Sequence, residues 1–153
     1  MKASVVNNNA KPTKWGGIRF KSEYECEVYK YCVEQGLELQ YEPDTFVYTP
    51  NLTFTNVTLH SPIFDSKGHK KGYGVIPSIR KWTYKPDFKY IDTKHNVTYY
   101  IEAKGQITQD FEHKWKMFLT ELSKTEGTFV VYLIQRQGDL KKMVEEIKNN
   151  INK

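Results

Sequence analysis

The stretch KPDFKYIDTKHNVTYYIEAKG, residues 85–105, decides how this chain folds. Residues 81–92 and 97–103 each read as a strand, rich in aromatic and β-branched side chains. The segment between them, Asp92-Thr-Lys-His-Asn96, has turn composition, so the two strands are expected to pair as a hairpin. Asp87 and Glu102 are 15 residues apart. That spacing sets a residue at the start of one strand beside a residue at the end of the other. Their charges are either solvent-facing decoration, with Pro86 a mere strand-start residue, or oxygen ligands for one hard cation. Mg²⁺ takes only one or two protein carboxylates and completes its shell with water or phosphate. Glu102 and Lys104, two residues apart, project from the same strand face, which sets an ammonium group beside that pair.

Upstream, residues 22–35 read as a helix, with Ser22 as N-cap and Gly36 as the C-terminal stop. Glu25, Val28, Tyr29 and Cys32 share one face, and a glutamate on an inward stripe is unusual. Residues 37–48 read as a strand interrupted at Glu42-Pro43-Asp44. Residues 49–80 form an insertion in which LTFTNVTLHS alternates like an extra strand and DSKGHKKGYG is a basic turn or loop.

Downstream, Thr108 can cap a helix whose Phe111, Trp115, Phe118, Leu119 and Leu122 form an apolar stripe. TFVVYLI, residues 128–134, is a continuous apolar run that reads as a buried central strand. Asp139 is expected to cap a last helix with Leu140, Met143, Val144 and Ile147 on one face. The order helix, three strands, helix, strand, helix implies an α/β fold, a mixed central sheet flanked by helices. Residues 1–17 read as a flexible polar arm and residues 18–153 as a single domain.

The chain has 153 residues, a net charge of +5 and 14% aromatic residues. A basic, aromatic-rich chain suits a polyanionic partner. No segment reads as a signal peptide or membrane span, so no membrane partner is expected. Cys26 and Cys32 point in different directions on one helix and have no metal-type spacing. Two buried free thiols fit a reducing cytoplasm. The four histidines show no ligand spacing.

Pro86-Asp87 followed by Glu102-Ala103-Lys104 resembles the PD…(D/E)xK signature of the restriction-endonuclease-like nuclease superfamily. The stretch GIRFKSEYECEVY, residues 17–29, is similar to the helix-opening motif of phage-encoded endonucleases, with Gly17, Ile18, Phe20, Ser22, Glu25 and Tyr29 at its matching positions. EAKGQITQDFEHK, residues 102–114, is similar to their E-x-K-G-x-x-T-x-x-F-x-x-K run. The phage endodeoxyribonuclease I group, which resolves Holliday junctions, resembles this arrangement over about residues 16–122.

The resemblance implies a restriction-endonuclease-like core and a metal-dependent DNA endonuclease acting on branched DNA. Glu25, Asp87, Glu102 and Lys104 would be catalytic. Asp87, Glu102 and the Ala103 carbonyl would hold Mg²⁺, with Mn²⁺ as a substitute, and Glu25 would hold a water or a second ion. Lys104 would stabilise charge on the phosphate. Lys67, Lys70, Lys71, Arg80, Lys81 and Lys114 would contact DNA. Junction resolution needs two nicks, which implies a homodimer, with the arm at 1–17 as an element that could exchange. A phage-encoded enzyme would act in the host cytoplasm.

Other readings of the same residues stay open. Ser22-x-x-Glu25 is a capping box in its own right, Lys114 can be a stem lying along its helix, and the basic insertion can be a solvated loop. The chemistry also fits a duplex-cutting transposase-associated or restriction-type enzyme. A catalytically inactive nucleic-acid-binding module is the alternative of another class.

Overall fold

The computed structural model describes residues 10–153; residues 1–9, which include most of the expected polar arm, lie outside the described residues. The last part of that arm is ordered into a hairpin, in which β1 (Thr13–Trp15) pairs with β2 (Ile18–Phe20). Helix α1 (Glu23–Glu34) starts at Ser22, whose hydroxyl accepts the Glu25 N–H at 3.1 Å. It stops at Gly36, whose φ of +82° is a left-handed conformation that glycine adopts without a steric penalty.

The expected strand at 37–48 is two short strands in different sheets, β3 (Gln40–Tyr41) and β4 (Phe46–Thr49). The break is at Glu42, a non-glycine residue with φ +44°. Likewise the expected strand at 81–92 is divided into β9 (Trp82–Tyr84) and β10 (Phe88–Asp92). Pro86 lies in the gap, where a residue without an N–H costs no ladder hydrogen bond.

β10 and β11 (Val97–Ala103) form the expected antiparallel hairpin, from Asp92↔Val97 to Phe88↔Ile101. Asn96 turns it with φ +54°, a conformation Asn tolerates well. β11 also runs parallel to β12 (Thr128–Ile134) over all seven residues, giving a mixed four-stranded sheet ordered β12-β11-β10-β3. β12, expected as a central strand, is therefore an edge strand. Its apolar run is half-buried rather than enclosed on both sides.

Side chains of β11 alternate between two cores. Tyr99, Ile101 and Ala103 pack with Cys26, Val28 and Cys32 of α1 and with Leu140, Met143, Val144 and Ile147 of α3 (Gln137–Ile151). Tyr100 packs on the other face with Phe111, Phe118 and Leu122 of α2 (Gln109–Ser123) and with Tyr84. Helices therefore cover both faces of the sheet. Both cysteines are buried and unpaired, as expected, and burial pushes the Cys32 thiol up to about 12. The N-cap of α3 is Arg136, not Asp139. Asp139 is at the third helical position and accepts the Gln135 and Arg136 N–H groups at 3.0 Å each.

The insertion contains the expected basic turn at its tip, but around it the chain forms several paired strands rather than one extra strand. β4 pairs with β9, β5 (Leu52–Thr53) with β8 (Ser78–Ile79), and β6 (Leu59–Phe64) with β7 (Lys70–Ile76). These nested antiparallel pairs make one two-stranded ribbon over residues 46–84. Its tip is an Asx-type turn in which Asp65 Oδ1 accepts the Lys67 and His69 N–H groups at 2.9 Å. The ribbon root is fixed to α2 through aromatic contacts. The Phe118 ring, fully buried, lies 5.0 Å from Phe46 of β4 and 5.0 Å from Tyr84 of β9.

Phe118→Ala should destabilise the protein by about 3–5 kcal/mol, through lost burial and a cavity that aromatic neighbours fill poorly. Urea unfolding measures this directly. A loss below about 1 kcal/mol would mean that α2 does not anchor the ribbon.

Candidate active site

Three carboxylates are buried at one end of the sheet: Glu25 of α1, Asp87 just before β10 and Glu102 of β11 are each 7% exposed or less. Charged groups are rarely so buried unless paired or ligated. Asp87 and Glu102 stand together as the hairpin register predicts. The Asp87 N–H donates to Glu102 Oε2 at 3.4 Å, and Asp87 Oδ2 accepts the Ala103 N–H at 2.9 Å. The Ala103 amide thus orients the Asp87 carboxylate. The Asp87 carbonyl in turn accepts the Glu42 N–H at 2.8 Å, which ties the site to the residue with strained backbone.

Burial is the largest influence on both acids. It pushes Asp87 well above the usual carboxylate range, with the charges of Glu102 and Glu25 acting in the same direction. It raises Glu102 to about 7, against the opposing pull of Tyr84 and Lys104. These are the shifts expected of like charges in a poorly solvated site.

Glu25 is held by three donors. Its Oε2 accepts from the Tyr41 hydroxyl at 2.8 Å and the Lys21 N–H at 3.2 Å, and its Oε1 from the Ser22 hydroxyl at 3.0 Å. Ser22 caps α1, but the glutamate reaches Lys21 N–H in the preceding residue and Tyr41 across the sheet. Its role therefore exceeds a local capping box.

Lys104 is half-buried, and its Nζ lies 5.0 Å from the Phe111 ring centroid, a cation–π distance. It lowers the pKa of both Asp87 and Glu102, so its charge is felt at the site.

The expected DNA contacts do not gather at the carboxylates. Lys67, Lys70 and Lys71 are at the ribbon tip, with Lys71 3.4 Å from Asp65. Arg80 and Lys81 lie between β8 and β9. Lys81 and Lys114 come together across a groove of about 450 Å³ between the ribbon root and α2, lined also by Tyr48, Trp82 and His113. Lys114 pairs with Asp110 at 2.6 Å, a solvent-facing ion pair of little energetic weight.

Sequence reasoning missed three residues. Tyr41 reaches Glu25 only because β3 pairs with β10, which no local pattern announces. Tyr84 lies beside Glu102, its buried hydroxyl close enough to pull on that carboxylate but outside ordinary hydrogen-bond geometry. Its place three residues before Asp87 is the one available signal. Lys21 pairs with Glu42, and that carboxylate, with Asp87 and Glu25, holds its ammonium above the usual value although burial opposes the shift.

Among the described residues, no three Asp, Glu, His or Cys side chains are grouped tightly enough to enclose a metal by themselves. The donor set nonetheless fits a hard cation: two adjacent carboxylates, all oxygen, at a site with an excess of negative charge. A divalent ion would offset the burial, and the added like charge, that raise both pKa values.

Asp87→Asn keeps an oxygen for the Ala103 N–H and removes one like charge. At pH 8 without divalent ions it should raise stability by on the order of 1 kcal/mol, about 2–4 °C in melting temperature. Mg²⁺ should raise the parent's melting temperature and leave the variant's unchanged. An unchanged or lowered value for the variant in chelator would show that the carboxylate pair is not strained.

The chain matches no protein-family model, no curated protein and no solved structure.

Proposed function

We propose that this chain is a metal-dependent DNA endonuclease with a restriction-endonuclease-like core, acting on branched DNA as a homodimer. The observation that carries this reading is the burial of Asp87, Glu102 and Glu25 together, with Lys104 two residues beyond Glu102. Packing alone does not call for such a group, since apolar residues there would cost no desolvation. A module that only bound nucleic acid would have no use for it.

Asp87 and Glu102 would hold Mg²⁺ or Mn²⁺. A bound divalent ion would supply Lewis-acid stabilisation of the phosphate and a nucleophile at neutral pH. The other steps belong to the chain. Ala103 N–H fixes the Asp87 carboxylate, and Glu42 N–H fixes its backbone. Glu25, braced by Tyr41 and Ser22, presents a fixed negative charge that orients the attacking water. Lys104 is close enough to neutralise charge developing on the phosphate. Tyr84, between the ribbon root and Glu102, screens the pair from solvent.

The test is cleavage of four-way, linear duplex and single-stranded DNA with and without Mg²⁺. The four-way substrate should be cut fastest, and only with metal. Asp87→Asn, Glu102→Gln and Lys104→Ala should each lower cleavage roughly 100-fold or more. Near-parental cutting by any two of them would remove the site assignment.

Glu25→Gln keeps acceptors for Tyr41 and Lys21 but loses the charge. It should melt near the parent and cut at least about tenfold more slowly. Ser22→Ala should lose about 1 kcal/mol of stability as a missing cap and retain most cleavage. The opposite ranking would reduce Glu25 to a structural residue.

A further inference from the structure

Most of the chain's net charge is on the ribbon. Residues 46–84 hold Lys67, Lys70, Lys71, Arg80 and Lys81 against the single acid Asp65, which leaves the rest of the chain one charge from neutrality. The outer part of the ribbon is also unusually apolar for a surface. Phe64 is 58% exposed, Tyr73 66% and Val75 54%. A basic element with exposed aromatic groups suits nucleic acid, where lysines meet phosphates and apolar side chains meet bases.

Strand alternation separates the two faces of this outer hairpin. His60 opposite Val75 and Pro62 opposite Tyr73 share one face; Ser61 opposite Gly74 and Ile63 opposite Gly72 share the other. Gly72 has no left-handed φ, and a Cβ added there would meet nothing within 4 Å. Gly72 borders the register shift at Ile63/Phe64, where strand glycines are common, but its φ and the open space leave room for a side chain there. Whatever the bulge requires, the bare strand at Gly72 leaves a flat surface that another molecule can approach closely.

The ribbon also starts at the carboxylates. Tyr84 lies beside Glu102, and Asp87 follows three residues later. From Tyr84 to Lys70 the strand path spans at most about 46 Å at ~3.3 Å per residue, more than one turn of B-form duplex at ~34 Å.

We propose that the ribbon is a duplex-DNA arm. Its outer hairpin enters the major groove, about 12 Å wide and able to admit a two-stranded ribbon. The Gly72 face lies against the groove wall, and Lys67 and Lys70 contact phosphates. Lys71 is engaged by Asp65. A second copy of the chain is a poorer occupant, because the two ribbons would bring like charges together. The arm fixes where along a duplex the carboxylates sit, and in that respect it rests on the nuclease reading.

The test measures binding apart from cleavage. A labelled DNA duplex of about three helical turns is titrated in chelator with the parent, Gly72→Val and the double variant Lys67→Ala/Lys70→Ala. Both variants should keep the parent's melting temperature. Gly72→Val should weaken binding about tenfold. The double variant should lower the slope of log K against log salt by about 1.8, ~0.9 for each lost contact. An RNA duplex of the same sequence, whose major groove is deep and narrow, should be insensitive to Gly72→Val.

Parental affinity and slope in both variants would overturn the arm. So would equal loss on RNA, or a change in sedimentation on Gly72→Val with DNA affinity unchanged, which would assign the face to a second copy. Cleavage of the four-way substrate by the parent separates the two readings. A parent that cuts while the variants bind normally sinks the arm alone; a parent that never cuts while the variants lose binding sinks the nuclease alone.

Discussion

Asp87 is clamped to the end of β11 by two backbone amides: its side chain accepts the Ala103 N–H, and its own N–H points at Glu102. This clamp holds two buried carboxylates side by side against their mutual repulsion. The surrounding fold supplies the restraint. Pro86 interrupts the strand so that Asp87 can turn inward, β3 brings Tyr41 to Glu25, and Glu42 adopts a costly backbone conformation to bind the Asp87 carbonyl. Each of these is locally unfavourable or neutral, and they make sense together as means of holding negative charge in place.

The molecule separates its tasks by charge. Outside the ribbon basic and acidic residues nearly balance, whereas the ribbon holds five basic residues against the single acid Asp65. Beside the carboxylates, Lys104 and Lys21 are the cations whose charge couples to them. The division leaves a basic surface on a projecting element, where a polyanion is met before it reaches the site. The shared aromatic core of Phe46, Tyr84, Tyr100 and Phe118 connects the two parts. A shift of the ribbon root would therefore be felt at Tyr84 and Glu102.

Long-period features were the most legible. The stripes of α1, α2 and α3 and the β10–β11 hairpin follow from apolar spacing and turn chemistry. The pairing of Asp87 with Glu102 follows from that hairpin alone. Local pattern failed where the deciding contact was distant. TFVVYLI reads as a central strand because apolar content reports burial, not position; among the described residues β12 pairs only with β11 and is an edge strand. Asp139 looks like a cap, but the chain enters α3 three residues earlier at Arg136, and the aspartate satisfies two free amides from inside the first turn. The insertion reads as a strand followed by a basic turn or loop; the turn is present at Asp65, but period-two alternation announces a strand without naming its partner.

By itself, then, the sequence determined the helices, the hairpin, the two unpaired cysteines and the adjacency of two carboxylates, because each depends on residues close in the chain. Tertiary structure decided the rest. It closed residues 46–84 into one nested ribbon, split the strand at Glu42 and brought Tyr41 to Glu25 from 16 residues away. It also gathered three carboxylates into one buried site while leaving most basic residues outside it. The physical reason is that burial and strand pairing are sums over distant contacts. A local pattern specifies which face of an element is apolar, and only the packed chain specifies what that face meets.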